Sequence, residues 1–190
     1  MTKSIDQLRR DAKSLRRAYE ALDATALMRI KAVAPKSDKA PLRHADFLHV
    51  IARENAFDSW PKLVWAAETI GLDRAAKQQS LKMALFHGQN WRVEQLLKDT
   101  PDLANGQFGL KCALLDRKAV DDMLDEDPEL ATRNFGPRRP ILHLAFSRYI
   151  HLRPDLEGDM IAIAERLVSL GADTNDGFPF TQGDDHLLSA

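Results

Sequence analysis

The feature that most constrains this chain is a repeat inside it. Leu81-Lys-Met-Ala-Leu-Phe86 is matched by Leu110-Lys-Cys-Ala-Leu-Leu115. Downstream, Val93-Glu-Gln-Leu-Leu-Lys-Asp-Thr-Pro-Asp-Leu-Ala104 is matched by Val120-Asp-Asp-Met-Leu-Asp-Glu-Asp-Pro-Glu-Leu-Ala131. The first blocks lie 29 residues apart and the second blocks 27, so the second copy reads as two residues shorter between its helices. The order in each copy is apolar helix, short turn, apolar helix, Pro-x-Leu-Ala. A looser third copy takes its first helix from Leu142-His-Leu-Ala-Phe146 and its second from Ile163-Ala-Glu-Arg-Leu-Val168, with Gly171 suited to close it in a left-handed conformation. About ten additional residues, near Ser147 to Asp159, separate those two helices. A helix pair this small cannot bury its own apolar face, whereas stacked pairs share one continuous core. The expected fold class is therefore all-α: a helical-repeat solenoid over residues 73–190, of about three repeats with an incomplete unit after the last.

Residues 1–72 read as a helical leader of about four helices. Ile5, Leu8, Ala12, Leu15, Tyr19 and Leu22 recur at steps of three and four, an apolar stripe on a first helix that Ser4 is placed to cap. Asp23 is placed to cap a second, Ala24 to Ala34, which Pro35 ends; residues 35–41 read as a loop. A third covers His44 to Asn55, with Phe47, Val50 and Ile51 inward. A fourth opens at Asp58-Ser-Trp-Pro61, with Asp58 as cap, and runs through Leu63, Val64 and Ala67 to Gly71. No segment alternates with period two, so no sheet is expected beyond short turns. Only Gly71-Leu-Asp73 joins leader and repeats, and so short a connection predicts one contiguous stack.

Pro140-Ile-Leu-His-Leu-Ala145 resembles the ankyrin Thr-Pro-Leu-His-x-Ala signature, with Arg139 in place of Thr and Ile141 as an additional apolar residue. Leu170-Gly-Ala-Asp-Thr-Asn175 is similar to the ankyrin Gly-Ala-Asp-x-Asn ending. The resemblance covers roughly Asp73 to Asp185, and its first two copies are divergent. The stretch from Ala45 to Leu63 resembles the helical leader of certain bacterial ankyrin-repeat proteins. The resemblance implies stacked helix pairs with projecting turns, used to recognise a protein through the turns and the concave face of the first helices. It implies no catalytic residues, and for His143 a hydrogen-bonding role between repeats.

Composition narrows the function classes. The chain is 44% hydrophobic and 29% charged with a net charge of −1, which gives no general reason to expect nucleic acid or membrane as partner. The lone Cys112 forms no intramolecular disulfide; it suits a reducing cytoplasm and reads as a small buried side chain. Met1 to Arg10 hold no apolar signal segment, and no run approaches the ~18 apolar residues of a membrane span. Phosphate-loop, dinucleotide, zincin and nucleophile-elbow motifs are missing, so a non-enzymatic chain without cofactor or metal is expected. The competing readings are an enzyme using scattered histidines and carboxylates, and a nucleic-acid-associated factor using the basic first helix. That helix carries Arg9, Arg10, Lys13, Arg16 and Arg17, and its apolar stripe is expected to cap the solenoid. Residues 1–70 hold 13 basic and 9 acidic side chains, a balance of +4; residues 71–190 hold 14 and 19, a balance of −5. Asp121, Asp122, Asp125, Glu126, Asp127 and Glu129 read as a solvated acidic face or as a docking patch for a basic partner.

The partner is expected to be another protein. Candidate turns are Asn105-Gly-Gln-Phe108, Asn134-Phe-Gly136 and Asn175-Asp-Gly-Phe178. Phe108 and Phe135, 27 residues apart, are either packing residues or contacts; Arg138 and Arg139 are candidate exposed anchors. Trp91 is an anchor or a core residue. Tyr149, His151 and Arg153 sit in the third copy's insertion, where a long loop suggests function. At the chain's end, Asp184 or Asp185 is placed to cap a helix on which Leu187 and Leu188 begin an apolar face. The chain thus reads as a shortened array. Its last repeat should expose an apolar edge for another copy, a partner or a folded-back tail to cover, and a homo-oligomer through that edge is one expectation.

Overall fold

The computed structural model describes residues 4–33, 41–179 and 187–189. They divide into two compact units, Met1–Leu72 and Asp73–Ala190.

The first unit holds α1 (Ile5–Glu20), α2 (Ala24–Val33), α3 (His44–Glu54) and α4 (Trp60–Thr69). Ser4 caps α1 by accepting the Gln7 N–H, and Asp23 caps α2 by accepting the Ala26 N–H. Asp58 does not cap α4: Ser59 occupies that position, while Asp58 pairs with Lys62 and Arg53. The α1 stripe is consumed within this unit. Leu8, Ala12 and Leu15 join Ala26, Ile30, Phe47, Val50, Ile51 and Leu63 in one core, and Tyr19 meets Phe47 edge-on at 5.7 Å. Leu22 departs from the stripe. The helix has ended, the Asp23 N–H closes back on the Ala18 carbonyl, and Leu22 takes φ 58 with its side chain 76% exposed. Trp65 is buried beside the expected Leu63, while Val64 and Ala67 are half-buried. The break expected at Pro35 lies outside the described residues.

The second unit contains three helix pairs: α5 (Arg74–His87) with α6 (Asn90–Asp99), α7 (Phe108–Ala113) with α8 (Arg117–Glu126), and α9 (Pro140–Ala145) with α10 (Glu157–Ser169). First helix packs on first helix, α5 on α7 and α7 on α9, and the second helices α8 and α10 pack together. Asp73 and Asp116 cap α5 and α8 through their side chains. Gly171 closes α10 at φ 95.

Backbone hydrogen bonds reveal the register of the first two pairs. The Gly88 N–H donates to Leu85 and the Leu115 N–H to Cys112; Gln89 donates to Ala84 and Asp116 to Lys111. Farther on, Thr100 donates to Leu96 and Asp127 to Met123, then Leu103 to Thr100 and Leu130 to Asp127. Each bond recurs 27 residues later, through both helices and the Pro-x-Leu-Ala turn. The 29-residue match of the first blocks therefore aligns similar residues in different roles, and nothing is lost between the helices. In space Leu81 corresponds to Phe108, both fully buried. Leu110 is buried where its counterpart Met83 is exposed, because α7 is flanked by α5 and α9. Leu115 takes φ 59 where the first copy has Gly88 at φ 64, and it tolerates this left-handed geometry as a buried side chain.

The insertion between α9 and α10 is not an open loop: it folds as two 3-10 turns, Tyr149–His151 and Pro154–Leu156. The chain end also differs from expectation. Leu187–Ser189 form no helix; they pair antiparallel with Gly177–Pro179, where the chain's return satisfies backbone groups beyond the last helix. Asp184 and Asp185, expected to cap, lie outside the described residues. On α10, Ile161 and Val168 are exposed. No helix among the described residues is long and apolar enough to cross a membrane.

Candidate functional site

The second unit carries an open groove of about 790 Å³. Its apolar lining comes from Leu97 and Pro101 at the end of α6, Ala104, the α7–α8 turn at Leu114 and Leu115, and Leu156. Each element reaches it for a local reason. Pro101 follows the end of α6, the left-handed Leu115 turns the chain sharply into α8, and the 3-10 turns bring Tyr149, Arg153 and Leu156 to the same side.

Charge rims this floor in matched pairs. Lys111 Nζ lies 2.8 Å from Asp116 and Lys118 Nζ 2.5 Å from Asp122. Arg117 lies between Asp121 at 3.5 Å and Asp159 at 3.9 Å. Arg153 is clamped on Asp155, with Nη2 2.6 Å from Oδ2, which holds its pKa above the ordinary value. Among the described residues, no histidine or cysteine lines the groove. The arrangement suits docking of a chain segment: an apolar floor, a half-buried tyrosine and alternating charges that exchange partners at little cost.

The structure distributes the sequence candidates unevenly. Tyr149 and Arg153 come together in the groove, but Tyr149 also packs against the core and is not a freely projecting contact. Phe108 is corrected from candidate contact to core: it has no exposed surface, and Phe135 packs on it at 5.5 Å between ring centroids. The repeat phase that brought these two rings into step is a packing phase. Arg138 is no freely exposed anchor. Its guanidinium lies 4.8 Å from the centre of the Phe86 ring and 5.5 Å from that of Phe146, and burial lowers its pKa. Arg139 lies 3.6 Å from Asp176. Trp91 is half-buried outside the groove, with the Arg92 guanidinium 5.3 Å from its ring centre. His151 is exposed but does not line the groove.

His143 is structural. Its Nε2–H donates to the Phe135 carbonyl at 3.1 Å, tying α9 to the tight turn in which the Phe135 N–H bonds the Arg138 carbonyl. The ring also lies against Gly109 of α7, where a Cβ would come within 2.9 Å of its Cδ2. Burial pushes the imidazole down to about 4, so it is neutral at pH 7. Ser147, just past the end of α9 and also buried, donates its hydroxyl to the Ala113 carbonyl, and the Arg148 N–H reaches the Leu85 carbonyl. The C-terminal ends of α5, α7 and α9 are thereby tied together.

Sequence reasoning missed Lys111, Asp116, Arg117 and Lys118. They are ordinary charged residues at a helix junction, and only folding against the insertion makes them a rim. The acidic run is largely matched by the protein's own cations: besides Asp121 and Asp122, Asp125 pairs with Arg166, and Asp127 and Glu129 with Arg133. Among the described residues, no three His, Cys, Asp or Glu side chains converge as a metal site. No family model, no curated protein and no solved structure matches the chain.

Proposed function

We propose that the second unit is a short ankyrin-like solenoid of three helix pairs, acting as a non-enzymatic module that binds another protein in the groove beneath Tyr149 and Arg153. The observation that carries this reading is the groove itself: an apolar floor open to solvent, rimmed by exchangeable ion pairs. The 27-residue recurrence of backbone bonds and the packing of first helices on one another support the architecture. The His143 bond to the Phe135 turn supports the resemblance at its most specific motif.

The test is site-specific crosslinking in the native cell. A photoreactive side chain at Arg153 should capture one protein, and the same group at Glu94, outside the groove lining, should not. Lys118→Glu, at an exposed rim position, should abolish that capture with unchanged thermal stability. Equal capture from both positions, or capture indifferent to Lys118→Glu, removes the groove as the binding site.

A further inference from the structure

The first unit carries a different surface. With Leu8, Ala12 and Leu15 buried in its own core, α1 exposes Asp6, Arg9, Arg10, Lys13, Ser14, Arg16, Arg17 and Glu20. Both exposed carboxylates are occupied: Asp6 lies 3.3 Å from Arg9, and Glu20 lies 2.8 Å from Arg16. Arg10, Lys13 and Arg17 remain, and none has a carboxylate at ion-pair distance among the described residues. Elsewhere in this unit Arg29 is matched by Glu54, and Arg53 and Lys62 by Asp58, while Lys31 and Arg43 stand singly on other elements. The steps of three and four put the unmatched trio on one arc of the helix, separated by rises of about 4.5 and 6 Å. Beside them lies an open hollow of about 610 Å³, lined by Lys13, Arg16, Arg17, Glu20 and His44 at the start of α3.

We propose that this face of α1 binds the phosphate backbone of nucleic acid without reading its sequence. A row of point and forked cations at spacings of a few ångströms complements a repeating phosphate chain. No aromatic or apolar side chain is exposed on α1 between Asp6 and Glu20, so bases find no stacking platform there and the contact is electrostatic. The same fact argues against a bilayer: an interfacial helix needs an apolar face to insert, and that face is already buried against α3. The net charge of −1 conceals this surface because the +4 of residues 1–70 is cancelled by the −5 of the remainder. The site is independent of the protein-binding groove.

The test is fluorescence anisotropy of the full chain with a labelled duplex of mixed sequence, between about 50 and 200 mM salt. Three released counterions predict a log–log slope of about −2.7, or roughly a 40-fold loss of affinity across that range. A duplex of unrelated sequence should bind equally. The triple variant Arg10→Gln, Lys13→Gln, Arg17→Gln should lose binding and salt dependence while keeping its helical circular dichroism. Arg53→Gln with Lys62→Gln, which removes matched cations, should change affinity less than about twofold. A triple variant that binds with wild-type affinity and slope overturns the proposal. So does a wild-type chain that binds no nucleic acid, or that binds phosphatidylserine vesicles and neither duplex nor single strand.

Discussion

At the scale of single residues, His143 and Gly109 form one contact that two substitutions can probe. His143 is neutral in the fold because burial lowers its pKa from 6.5 to about 4. The unfolded chain takes up the proton near pH 6.5, whereas the native chain resists until about 4. The stabilisation is therefore complete above 6.5 and lost as pH falls through that window, by about 3 kcal/mol at 1.36 kcal/mol per unit. His143→Gln should remove this component, so the difference between wild-type and variant unfolding free energies should shrink from pH 7 to 4. Parallel curves would show that the imidazole titrates normally in the fold. Gly109→Ala places a methyl 2.9 Å from His143 Cδ2 and should lower the urea midpoint, by about 1–3 kcal/mol in stability. The histidine was legible in the sequence as a structural residue; its pressure on Gly109 was not, because that glycine resembles no motif.

At the scale of elements, the repeat predicts equivalent roles for Leu97 and Leu124, and the structure separates them. Leu124 is fully buried, but in α6 the buried position is Leu96, and Leu97 lies half-exposed on the groove floor. Leu124→Ala and Leu96→Ala should each cost about 2–5 kcal/mol, and Leu97→Ala clearly less. Chemical denaturation of the three variants checks the order; equal losses at Leu96 and Leu97 would mean that α6 is rotated from the arrangement described. The neighbouring Leu96-Leu97 and Met123-Leu124 pairs read alike in sequence, because either apolar residue satisfies the same helical stripe. Which one points inward depends on the partner helix: α8 has α10 against it.

At the scale of the whole molecule, Cys112 reports opening of the second unit's core. It is fully buried, and burial pushes its thiol well above its ordinary pKa. Iodoacetamide should label it only as fast as that core opens, and sub-denaturing urea should raise the rate in step with measured stability. Prompt, urea-independent labelling of the native protein would contradict the burial. The two insertions of meaning at this scale, the groove and the cationic face of α1, differ in legibility. The five cations of α1 were visible in the sequence. That three lack partners was not, since pairing depends on side-chain geometry. The groove was half visible through Tyr149 and Arg153, while its rim comes from residues far apart in the chain.

The sequence by itself determined the helices, the Ser4 and Asp23 caps, the inward faces of α1 and α3, and the existence of a repeated helix pair. These follow from local physics: a period of three to four residues, side chains that accept end N–H groups, and glycine where the backbone turns left-handed. Tertiary structure alone decided the true 27-residue register of the first helices, the burial of Phe108, the capture of Arg138 between two phenylalanine rings and the folding of the insertion into 3-10 turns. It also decided that the last residues pair as a strand and not as a helix. Each depends on which surfaces meet, and a residue's apolar character records that it can be buried without recording against what.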